Sequence, residues 1–211
     1  MSIKKNFFAP LASGLGATRR AAMLLLVMLL TTVTTWADNY VPLTSTTKTW
    51  ENNTYVTNGD VTIADRITVK GTVTLVLTDG YTLTAPNGIE VRKGNSLTIE
   101  GGTNGTGTLT IEGGTRAGIG GGYVQTFPAG KIPTQYGNIT INGGIVNVQG
   151  GNQCAGIGGD FNSELTDNGT ITINGGVVNA TGGTKAAGIG GGCGSNKTGK
   201  YGGCGDIVIN G

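Results

Sequence analysis

Short runs of alternating apolar and polar residues recur along the chain, and most of them close on Gly-Gly or Asn-Gly. Alternation with a period of two puts the apolar members on one face of a strand. Three sets emerge. Leu97/Ile99, Ile139/Ile141, Ile171/Ile173 and Ile207/Ile209 form the first. Leu109/Ile111, Val146/Val148 and Val178/Ala180 form the second, and Ala117/Ile119, Ala155/Ile157 and Ala187/Ile189 the third. The third set lies in an exact phrase, Ala-Gly-Ile-Gly-Gly, at 117–121, 155–159 and 187–191. Ile139 precedes Ala155 by 16 residues, and Ile171 precedes Ala187 by the same 16. A repeat of about 32 residues with three apolar segments per period predicts the coil of a solenoid. The segments are too short for a robust hairpin sheet, and the glycines after them suit tight corners. The expected fold is all-β: a right-handed parallel β-helix with three short strands per coil, in which members of one set stack inside the prism. Thr98, Thr140 and Thr172 alternate with the first set and are expected to face solvent.

Upstream the pattern loosens. Leu75/Leu77, Leu83 and Ile89/Val91 read as one more coil, with Leu75 preceding Leu97 by 22 residues. Val61/Ile63 and Ile67/Val69 read as the opening coil. Residues 38–58, with Trp50 and Tyr55, are expected to form an N-terminal cap, because terminal repeats need a blocking sequence. The repeats then occupy residues 59–211. Asp206–Asn210 would start a new coil that Gly211 leaves unfinished, so further coils, further domains or a covering partner are expected beyond it.

Residues 1–37 read as a secretory signal peptide: Lys4, Lys5, Arg19 and Arg20, an apolar run from Ala21 to Leu30, then Thr35-Trp36-Ala37 before Asp38. The apolar core to Val33 falls short of the roughly 20 residues a bilayer needs, so no membrane-spanning helix is expected in the mature chain. The predicted location is extracytoplasmic, secreted or at the cell surface. The leader also changes the charge. Four of the 14 basic residues lie in it and all 12 acidic residues follow it, leaving a net charge of −2. That removes the basic footprint nucleic-acid binding needs. Histidine is absent, which removes the usual general base and zinc ligand.

Asn142, Asn174 and Asn210 hold one turn position in successive coils and predict an amide ladder along the stack. A calcium row is the other reading, but no carboxylates accompany them. No metal and no cofactor is therefore expected, and Glu100 and Glu112 are read as solvated. Between each Ala-Gly-Ile-Gly-Gly and the next strand the length varies, over 122–137, 160–168 and 192–205. Insertions confined to one edge of a repeat array mark the working surface. This edge carries Tyr123, Phe127, Tyr136, Phe161 and Tyr201, accompanied by Lys131, Asp160, Glu164, Asp167, Lys197 and Lys200. Aromatic faces beside polar groups suit sugar rings, so the five aromatics are the candidate ligand-binding residues. Cys193 and Cys204 bound one connection, and a disulfide between them would add about 2–3 kcal/mol. Cys154, beside an inward alanine, reads as a buried filler. No catalytic residue stands out: there are no paired carboxylates, and Arg116 with Glu112 reads as a surface ion pair.

Gly-Asn-Ile-Thr-Ile-Asn-Gly-Gly and Ala-Gly-Ile-Gly-Gly-Gly resemble the glycine-rich β-helix repeats of bacterial secreted and surface proteins described as adhesin-like or as containing a carbohydrate-binding domain. The resemblance covers roughly residues 60–211. It implies a secreted or surface-exposed protein with a polysaccharide or host-glycan partner. The expected function is a non-catalytic binding or adhesion module. The alternative, a polysaccharide lyase or glycoside hydrolase, rests on fold analogy.

Overall fold

The computed structural model describes residues 40–122, 135–161, 167–194 and 202–211. From Val41 onward the chain forms one compact unit. It winds as a right-handed parallel β-helix with three sheets. The first sheet stacks β1 (Tyr40–Pro42), β3 (Thr54–Val56), β6 (Thr72–Leu77), β9 (Ser96–Gly101), β12 (Asn138–Ile141), β15 (Ile171–Ile173) and β18 (Ile207–Ile209). The second stacks β4 (Val61–Thr62), β7 (Thr82–Thr84), β10 (Thr108–Glu112), β13 (Ile145–Gln149) and β16 (Val177–Thr181). The third stacks β2 (Thr49–Glu51), β5 (Ile67–Lys70), β8 (Ile89–Glu90), β11 (Ile119–Gly120), β14 (Ile157–Gly158) and β17 (Ile189–Gly190). From β3 on, the chain visits the first, second and third sheets in turn. Coils therefore pair one above another, and backbone hydrogen bonds run between coils rather than within them.

The three apolar sets stack as expected. Ile139 faces Leu97 below and Ile171 above, and Ile171 faces Ile207. Val146 lies between Leu109 and Val178, and Ile157 between Ile119 and Ile189. The inward residues from Val73 to Ile171 are almost wholly buried in one continuous core. Thr74, Thr98, Thr140 and Thr172 alternate with them in one outward column.

One upstream detail differs from the sequence pattern. Leu75 pairs with Ile99 and Val73 with Leu97, so the ladder continues two residues earlier than the 22-residue spacing implies. β6 offers three inward residues, Val73, Leu75 and Leu77, and a two-residue shift keeps the same face inside. In the segment read as the N-terminal cap, residues from Tyr40 on supply β1, β2 and β3 to the sheets, with β1 and β2 as end strands. Trp50 faces Val69, Tyr55 faces Leu75, and the two rings stack at 5.4 Å.

The repeated phrase has a mechanical explanation. Ala155 N–H donates to Gly159 O at 2.9 Å, and Ala187 N–H to Gly191 O at 3.1 Å, so the two later copies close on themselves as small arches. The arch turns at Gly158 and Gly190, with φ of 125° and 131°. A Cβ on Gly158 would also run into the Gly190 carbonyl of the next coil. Backbone angle and neighbour distance both exclude a side chain there.

On the outer surface the amide ladder forms. Asn210 Nδ2 donates to Asn174 Oδ1 at 2.7 Å, and Asn174 Nδ2 to Asn142 Oδ1 at 2.8 Å. Asn142 Nδ2 then donates to Glu100 Oε1 at 2.6 Å. Glu100 is therefore the foot of the ladder rather than a merely solvated carboxylate. A carboxylate only accepts, so it terminates a row in which every amide donates downward. No helix among the described residues is long and apolar enough to cross a membrane.

Candidate functional site

The variable connections leave the third sheet and rejoin the first at one corner, as the repeat spacing requires. Tyr123, Phe127, Tyr201, Lys131, Glu164, Lys197 and Lys200 lie outside the described residues. Of the two candidate aromatics that are described, Tyr136 is not a surface ring. It is fully buried, and its hydroxyl accepts from Gly205 N–H at 2.7 Å. Its carbonyl accepts from Gly169 N–H, and its own N–H donates to Asn168 Oδ1. Tyr136 is a pillar that ties the returning ends of all three connections together. Burial pushes its hydroxyl pKa up. Asp167 lies nearby in an ion pair with Lys93, across a polar cleft of about 310 Å³.

Phe161 is half-buried and borders a larger cleft of about 430 Å³, shared with Gly114, Thr115, Arg116, Asn152, Gln153 and Asp160. Two turns build its wall. Gly114–Arg116 join β10 to β11, and Asn152–Gln153 join β13 to β14 one coil higher. Gln153 has φ of 65°, as does Lys185 (63°) in the matching position of the next coil. Its carbonyl accepts from Cys193 N–H. A left-handed residue held between coils is costly enough to persist only where its surroundings fix it.

Behind this wall lies a buried charge cluster. Asp160 occupies the register position that Gly122 and Gly192 fill in the neighbouring coils, and its side chain is 1% exposed. Its Oδ1 accepts from the Cys154 thiol at 2.7 Å and from Phe161 N–H at 2.8 Å. Its Oδ2 accepts no hydrogen bond and lies 3.9 Å from Arg116 Nη1. Burial raises the Asp160 pKa above the usual carboxylate range. Burial and the neighbouring carboxylate push the Cys154 thiol up to about 12, so it is a protonated donor at neutral pH. Arg66 completes the group. It donates to Asn87 O at 2.7 Å, Ala117 O at 3.0 Å and Gly121 O at 3.2 Å. Desolvation lowers its pKa while Asp160 opposes that.

Two sequence expectations change here. Arg116 is paired with Asp160, not with Glu112. Cys193 and Cys204 are free thiols, as is Cys154. Cys193 is tied to the coil below through its N–H, and its Sγ turns to the Gly194 carbonyl, while Cys204 is exposed. The cleft wall itself was missed, because the length variation drew attention to the connections. The signal was present as variable pairs just before the constant phrase: Thr115-Arg116, Gln153-Cys154 and Lys185-Ala186. So was the single acid at the end of Ala-Gly-Ile-Gly-Gly-Asp.

Among the described residues, the cleft wall carries a guanidinium, two amide side chains, a hydroxyl and an aromatic ring. Asp160, the one carboxylate among them, is 1% exposed, and an acid or base in group transfer must reach its substrate. Among the described residues no group of three or more potential ligands could hold a metal ion.

A family model described as a beta helix repeat matches residues 139–161 and 171–193. Each stretch is one coil, running from the first inward isoleucine through the arch to the start of the connection. The repeat is a parallel β-helix repeat. Comparison with curated proteins and comparison with solved structures each returned no match.

Proposed function

We propose that the protein is a secreted or cell-surface binding module, without catalysis, that recognises carbohydrate at the corner where the connections emerge. The observation that carries this reading is the cleft between Arg116, Asn152, Gln153 and Phe161. Sugar rings present C–H patches beside hydroxyls, and this wall sets an aromatic face beside amide and guanidinium donors. Small-ligand sites combine apolar lining with a few convergent polar groups in this way, in clefts of about 300–1,000 Å³. The leader-like residues 1–37 and the solenoid support an extracytoplasmic role, in which stacked coils act as a stiff spacer for the binding edge.

Glycan-array binding, run alongside an assay for released reducing ends and unsaturated sugars, tests the proposal. Binding without turnover is expected. Turnover abolished by one acidic-residue substitution would replace it with the enzymatic reading, and failure to bind any glycan would end it.

A further inference from the structure

An asparagine followed by glycine carries its own reactive pair, and the chain has seven such pairs, all within the described residues. Glycine lacks the Cβ that would shield its backbone nitrogen from the amide carbon of the preceding side chain. In six of the seven the structure holds the reacting atoms. Asn87 Nδ2 donates to Ala64 O, and Gly88 N–H to Ala85 O. Asn104 Nδ2 donates to Asp79, and Gly105 N–H to Gly102 O. Asn168 Oδ1 accepts from Tyr136 N–H, while Gly169 N–H donates to Tyr136 O. Asn142, Asn174 and Asn210 are tied into the amide ladder. Asn58 is different. Its side chain is exposed, and neither its amide nor the Gly59 N–H makes a hydrogen bond among the described residues. A Cβ placed on Gly59 would meet nothing within 4 Å, so a new ring has room to form there.

We infer that Asn58 is a spontaneous modification site, at which loss of ammonia installs a carboxylate and loosens β4, the edge strand of the second sheet. The Gly59 backbone nitrogen, having given up its proton to water, attacks Asn58 Cγ. A C–N bond forms, the Cγ–Nδ2 bond breaks, and Nδ2 leaves as ammonia, with a cyclic imide left in the chain. Water then opens the imide at either carbonyl. The product is an aspartyl residue, or an isoaspartyl residue whose main chain runs through the side-chain carbon. Water is the sole co-reactant, and nothing is oxidised or reduced. Both products place a negative charge close to Asp60, whose Oδ1 accepts from Thr82 N–H at 2.8 Å. The isoaspartyl form also adds a methylene to the corner. On one side that corner is pinned by Thr57, whose Oγ1 accepts from Thr78 N–H at 2.8 Å. On the other it leads into β4, a strand of 2 residues that pairs with β7 alone among the described strands. So few backbone pairs leave β4 at the low-stability end of the fold.

The experiment ages the full chain in heavy-oxygen water at warm, mildly alkaline pH, where more of the Gly59 nitrogen is deprotonated. Peptide mass spectrometry then follows every Asn-Gly pair, since heavy oxygen enters where an amide has become a carboxylate. Asn58 is expected to convert at least about tenfold faster than Asn142 or Asn174, because each of those amides must first release hydrogen bonds on both sides. In urea the advantage should vanish, which separates the effect of the fold from that of local sequence. Asn58→Gln keeps an exposed amide on an arm poorly suited to the ring. It should remove the fast product, and a thermal melt confirms that the variant folds. In the aged fraction Ile63 N–H, which donates to Thr84 O, should exchange faster, while Ile139 N–H should not change. Any of five results would overturn the inference: no conversion at Asn58, an equal or faster rate at another pair in the folded chain, an advantage that persists in urea, a fast product that survives Asn58→Gln, or unchanged exchange at Ile63.

Discussion

Arg66→Met isolates one contact that the repeat architecture makes necessary. The copy at Ala117–Gly121 is the first of its column, and the coil below it lacks the phrase. Gly88 N–H, which holds the position of Gly118 N–H one coil lower, is already spent on Ala85 O. In the higher copies, Ala155 O accepts from Gly118 N–H and Ala187 O from Gly156 N–H. The first copy relies on the Arg66 guanidinium, which donates to Ala117 O and Gly121 O. Methionine keeps the length of the side chain and removes the donors, so little cavity cost enters. The Asn87 contact lies at the surface, where water replaces it. The two part-buried contacts decide the magnitude. Hydrogen bonds from a charged donor are worth about 1.5–3 kcal/mol each. Part of that is returned because the guanidinium, whose Nε has no partner, no longer needs to be desolvated. A net loss of about 2–4 kcal/mol is expected from urea unfolding followed by circular dichroism. Because backbone pairing runs only between neighbouring coils, the loss should be local. Hydrogen exchange should quicken at Ile89, Ile119 and Gly121 and stay unchanged at Ile171 and Val177. A change within about 0.5 kcal/mol, or uniform acceleration through all coils, would refute the reasoning.

Two further outcomes follow from the buried cluster. The three cysteines should react with a maleimide at neutral pH in two classes: Cys193 and Cys204 readily, and Cys154 only after unfolding, since it is buried and its pKa is pushed up to about 12. Mass spectrometry of the labelled, unreduced protein reads this directly, and a loss of two mass units with only one reactive site would contradict it. Asp160 has a folded pKa above its unfolded value. The stability it contributes relative to Asn is therefore fully present below the unfolded value of about 3.9 and is lost as pH rises through the folded value. Melting of Asp160→Asn against the wild type should show the difference move in that sense over mildly acidic pH, and a difference that is flat across this range would discount the burial.

The prism was legible in the sequence because its constraint is periodic. Ile139, Ile171 and Ile207 must stack if the chain closes every 32 to 36 residues, and one apolar residue at every second position records that directly. Upstream, β6 offers three equivalent inward residues, and alternation alone cannot choose between registers two residues apart. The site was less legible for a different reason. Tyr136 looks like a surface aromatic on a variable connection, yet the corner glycines Gly137, Gly169 and Gly205 let the coils close tightly around it. Each added Cβ would strike the backbone of the coil below. Whether a loop ring faces ligand or pins the loop depends on that packing, which a single linear pattern does not record.

The cluster also shows how a repeat array acquires chemistry without losing its frame. Most positions in the arch tolerate only glycine, alanine or isoleucine, since they face the core or a neighbouring backbone. Change can enter at the two ends: the residue before the phrase, where Arg116, Cys154 and Ala186 share one register position, and the residue after it, where Asp160 replaces the glycine of the other copies. Register brings these ends from adjacent coils together, so two substitutions some forty residues apart in sequence create a single charged pocket wall. The arch is short enough for Asp160 to fold back onto Cys154 of its own coil, and the stacking distance of roughly 4.8 Å lets it reach Arg116 of the coil below. The binding site proposed above would thus be built across coils, its chemistry set by which two neighbouring repeats depart from the common phrase.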